Sequence, residues 1–280
     1  MKLASVDIDG SIQPALVRDD GLIPLGAIVS SMQDLIAQWP DIRPEVEKLA
    51  QAGDAVALDQ SRLRAPIGRP GKLLAIGLNY ADHIIETGLE APTSQVWFCK
   101  HVTAVNAPFA PVHFPKVARF LDFEVELVAI VGRRGRHIPA EKASNHIFGF
   151  CVGNDFTARD WQFATHQWML GKSFDTHAPF GPWITTVDEV GDPHALSIRC
   201  QVNGTERQRS NTRELVFNIW DQVAHLSEVM TLEPGDVIFT GTPGGVGWGD
   251  KPPQSLSCED IVRCEIEKLG FIENRIVNEA

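Results

Sequence analysis

The chain has 280 residues, of which 44% are hydrophobic and 22% are charged, as in a globular protein of one large or two modest domains. Its formal net charge of −11 disfavours nucleic acids and anionic membrane surfaces as partners, because both bind clustered lysine and arginine. No stretch approaches the roughly 20 apolar residues of a membrane helix, so we expect a cytoplasmic protein without membrane association.

The first part of the chain, residues 1–68, is predicted to be a small N-terminal domain. It contains short apolar segments followed by a helix-like stretch at residues 45–50. A joint rich in proline and glycine at residues 64–71 then precedes a stronger strand pattern. We therefore predict a second, larger domain that covers residues 69–280.

The larger domain alternates short apolar strands with proline and glycine turns. One clear helix is predicted, with Thr212 as its N-cap, from residues that recur at helical spacing, namely Leu215, Ile219, Gln222, Leu226 and Val229. This mixture predicts a β-rich α+β fold and not a doubly wound sheet.

The segment after the first strand of this domain contains His83 and Glu86. The two residues are three positions apart, so they are neighbours if the segment is helical. The glutamate would then orient the histidine ring and stabilise its charge, as a general base requires. A pair of this spacing on its own is more often found on a protein surface.

Two carboxylates, Glu124 and Glu126, lie two positions apart before an apolar strand. Side chains alternate between the faces of a strand, so both glutamates point the same way with Cα atoms roughly 6.6 Å apart. Two like charges in this position repel, and one is protonated unless a cation compensates. The alternative is that they line the solvent face of an edge strand, but the apolar run that follows favours a shared ligand.

A third carboxylate, Asp155, follows another apolar strand at residues 147–153. Three carboxylates at strand ends suit a hard cation such as Mg²⁺ or Mn²⁺, and Ca²⁺ is a further candidate. Zinc is disfavoured, since the five cysteines show no C-x-x-C spacing.

Lys172 and the glycine-rich segment 241–250 are further candidates for the site. The lysine would pair with a substrate carboxylate or stabilise an oxyanion, although a solvated lysine is the usual alternative. The glycine-rich segment lacks the pattern of a phosphate-binding loop, so its amides and the Thr242 hydroxyl are predicted to bind a carboxylate. Spacing singles out no role for Lys100 or His177.

Five motifs, in this order and spacing, resemble the fumarylacetoacetate hydrolase family over about residues 70–275. They are Asn79-Tyr80-x-x-His83-x-x-Glu86, the segment 122–127, Asn154-Asp155-x-Thr157-x-Arg159-Asp160-x-Gln162, the segment 171–175, and Gly241-Thr242-Pro243-x-Gly245-Val246-Gly247.

The resemblance implies a mixed β-roll fold, a homodimer and a divalent ion held at the positions of Glu124, Glu126 and Asp155. It also implies that a bound keto acid is surrounded by residues corresponding to Lys172, Arg159, Gln162 and Thr242. The residues corresponding to His83 and Glu86 would lie on a lid and activate water. No role follows for Asp160 or His177.

The hypothesis from the sequence is a metal-dependent hydrolase that cleaves a C–C bond in a 2,4-dioxo acid, such as an acylpyruvate, through a pyruvate enolate. Lys172 would share the enolate charge, and water deprotonated by His83 would attack the distal carbonyl. The same enolate also serves decarboxylation of oxaloacetate-like acids and isomerisation of 2-hydroxy-dienedioates, so both remain alternatives. A non-catalytic protein that binds metal and keto acid is the alternative of a different class.

Overall fold

The computed structural model describes residues 1–19, 21–52, 54–87, 90 and 92–280. In these residues the helices are α1 (Met32–Ala37), α2 (Trp39–Ala52), α3 (Ala81–Thr87), α4 (Arg159–Gln162), α5 (Met169–Lys172), α6 (Val187–Val190) and α7 (Ile219–Val229). The strands are β1 (Lys2–Ile8), β2 (Ser11–Arg18), β3 (Gly21–Pro24), β4 (Leu63–Arg64), β5 (Leu73–Gly77), β6 (Val96–Cys99), β7 (Val105–Asn106), β8 (Val112–Phe114), β9 (Leu121–Asp122), β10 (Val125–Val131), β11 (Ile147–Asn154), β12 (Thr157–Ala158), β13 (Ala178–Thr186), β14 (Ser197–Val202), β15 (Thr205–Asn211), β16 (Val237–Phe239), β17 (Ile261–Ile266) and β18 (Gly270–Asn278).

A large mixed sheet organises the chain. Its strands run in the order β3-β2-β1-β13-β11-β10-β16-β5-β6, with β4 beside β1 and β7 beside β13. The pairs β16–β5 and β13–β7 are parallel and the others antiparallel. A second sheet has the order β15-β14-β17-β18-β8. The predicted β-rich α+β fold is therefore confirmed.

Strand β10 lies between two apolar cores, which explains why its sequence is apolar on both faces. Val125 and Leu127 belong to the core that also contains residues of the second sheet and α7. Val128 and Ile130 belong to the other core, together with residues of β1, α1 and β13. Because side chains alternate along a strand, Glu126 shares the face of Val128 and Ile130.

Helix α7 begins later than the sequence pattern predicts. Its N-cap is Asn218, whose side chain accepts hydrogen bonds from Trp220 N and Asp221 N, so the prediction of Thr212 as N-cap was wrong. The residues before Asn218 are held by Asn79 instead, which accepts a hydrogen bond from Phe217 N at 2.8 Å. That bond fixes the loop that leads from β5 to α3.

The strands of residues 1–68 continue the large sheet. Lys2 and Leu3 of β1 pair with Thr185 and Ile184 of β13, so the sheet crosses the predicted boundary. The boundary between residues 68 and 69 stays a prediction about folding units. Within the described residues, no helix is both long enough and apolar enough to cross a membrane.

Candidate active site

Four segments that carry predicted site residues leave the large sheet at the same edge. Glu124 and Glu126 lie at the start of β10, and Asp155 follows the end of its antiparallel neighbour β11. Strand β16 is antiparallel to β10, so its end brings Thr242 to this edge. Strand β5 is parallel to β16, so the loop after it brings His83 there as well.

The three predicted metal ligands form one buried cluster. One carboxylate oxygen from each of Glu124, Glu126 and Asp155 lies within 4.8 Å of the others. The backbone fixes their separation, because Asp155 N donates to Glu124 O at 2.9 Å, while Asn154 Oδ1 accepts from Glu124 N at 2.9 Å. The structure thus brings together the carboxylates that the sequence predicted as a group.

Three buried cations surround this cluster. Lys172 Nζ lies 2.7 Å from Glu124 Oε2 and 2.7 Å from Asp155 Oδ2. Lys100 Nζ pairs with Asp155 Oδ1 from the other side. Arg159 places Nη1 2.8 Å from Glu124 Oε1 and Nη2 2.8 Å from Asp122 Oδ2. A lone charge in this environment would be costly, so the partners are what allows these charges to be buried.

The charges are distributed unevenly between the two glutamates. Burial and the nearby charges of Asp155 and Glu124 raise the pKa of Glu126 well above its usual value. Burial acts in the same direction on Glu124, but Lys172 and Arg159 outweigh it and lower the pKa of that carboxyl. Glu126 makes no ion pair with the described residues and accepts one hydrogen bond, from Gly241 N at 2.7 Å.

The donor set fits a hard divalent cation. Three carboxylates within reach of one another are the ligands that Mg²⁺, Mn²⁺ or Ca²⁺ prefers. Glu126 provides a second, independent observation in favour of a bound cation. A buried carboxylate without a cationic partner needs either a proton or a cation. Counting Asp122 as well, four buried carboxyl groups face three buried cations, so the cluster carries one excess negative charge when all four carboxyl groups are ionised.

The amides of the glycine-rich segment bind carboxylates of this chain. Gly247 N and Trp248 N donate to Asp122 at 2.7 and 3.0 Å, and Gly241 N donates to Glu126. The Thr242 hydroxyl donates to Val125 O at 3.0 Å. The carboxylates that these amides bind are therefore those of the chain itself, and the binding of a substrate carboxylate by Thr242 stays a prediction. Their role is to hold the carboxylates of the site in place.

His83 and Glu86 are paired as the sequence predicted, and both lie on α3. His83 Nδ1 is 3.1 Å from Glu86 Oε2, and Gly245 N donates to the two oxygens of Glu86 at 2.9 and 3.1 Å. Burial raises the pKa of Glu86, but the hydrogen bonds from His83 and Gly245 outweigh it, so the net pKa is lowered. The carboxylate therefore stays charged and faces the imidazole.

A pocket of about 290 Å³ lies above the carboxylate cluster. The predicted residues that line it are His83, Glu124, Glu126, Arg159, Gln162, Lys172 and Thr242. Glu86 and Asp155 lie behind this lining. Its remaining wall is largely apolar and includes Phe98, Phe163, Trp168, Val246 and Trp248.

Sequence reasoning missed several residues that build the site. Lys100 is fully buried against Asp155, although its position after a short strand carries no signal of burial. Asp122 joins Arg159 to the glycine-rich segment, and its place two residues before Glu124, at the same spacing as the acidic pair, was the available signal. Gln208 contacts Thr242 Oγ1 at 2.8 Å from a distant strand, which no local pattern indicates.

Asp160 and His177, for which the sequence predicted no role, make hydrogen bonds to backbone groups of the protein. Asp160 Oδ2 accepts a hydrogen bond from Arg119 N at 3.1 Å. His177 is fully buried, its Nε2 lies 2.9 Å from His113 O, and burial lowers the pKa of its ring to about 3. The imidazole is therefore neutral, and Nε2 donates to the carbonyl oxygen.

Known proteins share this architecture. Residues 72–277 match the family model described as the fumarylacetoacetate (FAA) hydrolase C-terminal domain. The mitochondrial oxaloacetate tautomerase fahd2 of Xenopus laevis is 44% identical over 261 residues, which cover 87% of this chain and 82% of that protein.

Two solved structures extend over the whole chain. Maleylpyruvate hydrolase from Sphingobium sp. SYK-6, crystallised with manganese(II) and pyruvate, is 31% identical with a TM-score of 0.87 and covers 100% of both chains. The 5-carboxymethyl-2-hydroxymuconate delta-isomerase of Mycobacterium smegmatis is 32% identical with a TM-score of 0.79, again over 100% of both chains. The resemblance inferred from the five motifs is confirmed, and the chain belongs to the fumarylacetoacetate hydrolase family.

Proposed function

We propose that the chain is a divalent-metal-dependent enzyme that forms and stabilises the enolate of a 2-oxo acid, and that its reaction is the keto–enol tautomerisation of oxaloacetate. The observation that carries this proposal is the charge of the buried cluster. Four carboxylates exceed three cations by one charge, so a divalent ion would make the site cationic and suited to an anionic acid.

Glu124, Glu126 and Asp155 would hold the ion. When bound, a hard divalent ion supplies a Lewis acid for the carboxylate and the 2-oxo oxygen of the acid. We propose Mg²⁺ or Mn²⁺, with Ca²⁺ as a non-catalytic occupant of the same ligands.

Lys172, Arg159 and Gln162 would bind the anionic end of the substrate. Lys172 has three donors, and two are directed at Glu124 and Asp155, which leaves one for a ligand. Gln162 Oε1 accepts from Arg159 Nη1 at 2.9 Å, so its amide nitrogen remains as a donor at the pocket wall. These donors would stabilise an enolate oxygen more than a neutral ketone, as catalysis requires.

His83 would move the proton. Its Nδ1 faces Glu86, so Nε2 is the atom that accepts a proton from C3 of the keto acid. The imidazolium would then give this proton to the enolate oxygen to form the enol, so no net proton is gained or lost, and the reverse steps regenerate the ketone. Glu86 would hold the ring and stabilise the imidazolium.

Tautomerisation is our first choice because of the relatives. The Xenopus laevis protein is named an oxaloacetate tautomerase, and its similarity to this chain extends through the site. The reaction needs a base, an enolate site and no water nucleophile, and His83 with Lys172 meets that requirement.

Hydrolysis of an acylpyruvate is the second candidate, favoured by the paired His83 and Glu86. With water in the pocket, the same imidazole would deprotonate it for attack on the distal carbonyl. Cleavage of the C–C bond would release a carboxylic acid and pyruvate enolate. The maleylpyruvate hydrolase with bound pyruvate supports this candidate.

Metal-stripped protein supplied with Mg²⁺ or Mn²⁺ would distinguish the two reactions. With oxaloacetate, the enol absorbance is followed and pyruvate is assayed in parallel. Metal-dependent loss of enol without pyruvate supports the tautomerase, whereas pyruvate from oxaloacetate indicates a decarboxylase. Pyruvate from acetylpyruvate supports the hydrolase. If neither acid is turned over while Mn²⁺ still binds, the result would support the alternative of a non-catalytic protein that binds metal and keto acid.

We also propose that the chain is a homodimer and that it works in the cytoplasm. Family membership supports the first proposal, and sedimentation equilibrium tests it. The name of the Xenopus laevis relative includes mitochondrial, so localisation of a tagged full-length chain tests the second.

A further inference from the structure

One part of the pocket lining consists of three aromatic residues, Phe98, Phe163 and Trp168. All three also line a second cavity of about 500 Å³ on their other side. That outer cavity is otherwise lined by Val96, Trp97 and the segment 164–167. We call Phe98, Phe163 and Trp168 the aromatic partition, because they are the side chains shared by the two cavities.

Trp168 is held firmly in the aromatic partition. Its ring meets Phe98 edge to face, with centroids 5.7 Å apart at 62°. It also packs closely against the end of β5, where a Cβ atom on Gly77 would be 2.2 Å from Trp168 Cζ3. Glycine at position 77 therefore provides the space for the indole, and the ring cannot swing toward β5.

The aromatic partition is also connected to the catalytic lysine. Trp168 directly precedes α5 and Lys172 ends it. The Nζ atom of Lys172 lies 5.1 Å from the centroid of Phe98, within the range of a cation–π contact. A substrate whose anionic end is bound at Lys172 would therefore lie next to the aromatic partition.

The size of the inner pocket sets the limit on the substrate. About 290 Å³ is at the lower edge of the roughly 300–1,000 Å³ of small-molecule sites. A short acid fits this volume, whereas a 2-oxo acid with a long chain would need the space behind the aromatic partition. We infer that Trp168 is a specificity-determining residue that restricts the site to short 2-oxo acids, an inference that rests on the proposed function.

Binding of oxamates tests the inference without turnover. Oxamate and its N-ethyl, N-butyl and N-hexyl derivatives would be titrated by calorimetry into Mn²⁺-loaded protein, since an oxamate presents the carboxylate and carbonyl of a 2-oxo acid with a tail of chosen length. For the wild type, affinity should fall from N-ethyl to N-hexyl. For Trp168→Ala, the trend should reverse, with a gain of about fourfold for each methylene that enters the outer cavity.

Two further variants are controls for an indirect effect of Trp168→Ala on oxamate binding. Trp168→Phe keeps an aromatic ring of smaller size and should tolerate the N-butyl but not the N-hexyl tail. Trp97→Leu removes a tryptophan that lines the outer cavity alone, and it should keep the wild-type dependence on tail length. Oxamate itself should bind all four proteins within a few-fold of the same affinity, which a general loss of structure would not allow.

The outcomes separate the inference from the proposed function. Wild-type protein that binds N-hexyl oxamate as tightly as oxamate, or Trp168→Ala with an unchanged falling trend, overturns the role of Trp168. A reversed trend in a protein that never turns over oxaloacetate supports the role of Trp168 and refutes only the tautomerase. A wild type that binds no oxamate at all in the presence of Mn²⁺ refutes both.

Discussion

Replacing Glu124 and Glu126 separately by glutamine should give the same loss of metal binding but very different effects on stability. Both substitutions replace a carboxyl group by an amide of nearly the same shape, two positions apart. Glu124 pairs with Lys172 at 2.7 Å and with Arg159 at 2.8 Å. Glu126 makes no ion pair with the described residues and is placed by one backbone amide.

The expected magnitudes follow from these contacts. Breaking a buried ion pair costs about 3–5 kcal/mol, and Glu124→Gln should lie at the lower end, about 3 kcal/mol, because Lys172 and Arg159 each keep a second carboxylate. Glu126→Gln should change the free energy of unfolding by less than about 1 kcal/mol, or raise it, since burial disfavours the charge that it removes.

Urea unfolding of metal-free protein at neutral pH would measure the stability of both variants, and calorimetry would measure Mn²⁺ affinity. Even loss of a residue that only supports a ligand weakens metal binding by about 10–100-fold, so either glutamine should weaken it by at least about 100-fold. Equal destabilisation by the two variants, or wild-type Mn²⁺ affinity in Glu126→Gln, would refute the reasoning about this cluster.

Three other predictions concern residues around the cluster. His83→Asn should lower kcat for oxaloacetate by about 10²–10⁴-fold while Mn²⁺ affinity stays unchanged; an equal fall in both would argue against a proton-transfer role. Lys100→Met should destabilise the metal-free protein by about 3–5 kcal/mol in urea unfolding, because Asp155 loses a buried partner, and a change below 1 kcal/mol would contradict this. His177 binds its proton with a pKa of about 3 when folded and about 6.5 when unfolded, so its contribution to stability is present above pH 6.5 and is lost as the pH falls toward 3. His177→Phe should therefore flatten the acid side of the stability profile by up to about 1.4 kcal/mol per pH unit, and parallel wild-type and variant profiles would exclude that contribution.

The acidic pair shows what the sequence determines at short range. The spacing of Glu124 and Glu126 is a property of one strand, and the alternation of side chains places both on one face wherever the strand lies. Asp155 joined them because it follows a strand of the same apolar character, which pairs with the first. Local periodicity was therefore sufficient to predict the three carboxylates as a group.

Lys100 and the glycine-rich segment show where this reasoning ends. Lys100 follows a short edge strand, and its charge is buried against Asp155 and the carbonyl oxygen of Phe156, both of which follow β11. The amides of Gly241 and Gly247 were predicted to bind a carboxylate, but no local pattern indicates that these carboxylates are Glu126 and Asp122 of the same chain. The helix at Ile219 began late because Asn79, far away in sequence, binds the preceding residues. In each case a partner distant in sequence decides the structure.

The contact between Glu86 and Gly245 couples two events at the active site. Glu86 is held by Gly245 N and by His83 at the same time, so α3 rests on the glycine-rich segment through the residue that orients the imidazole. Any displacement of α3 from that segment would break the hydrogen bonds from the amide and would carry His83 away from the carboxylate cluster. The contact that fixes the position of α3 is therefore also the contact that fixes the orientation of the imidazole.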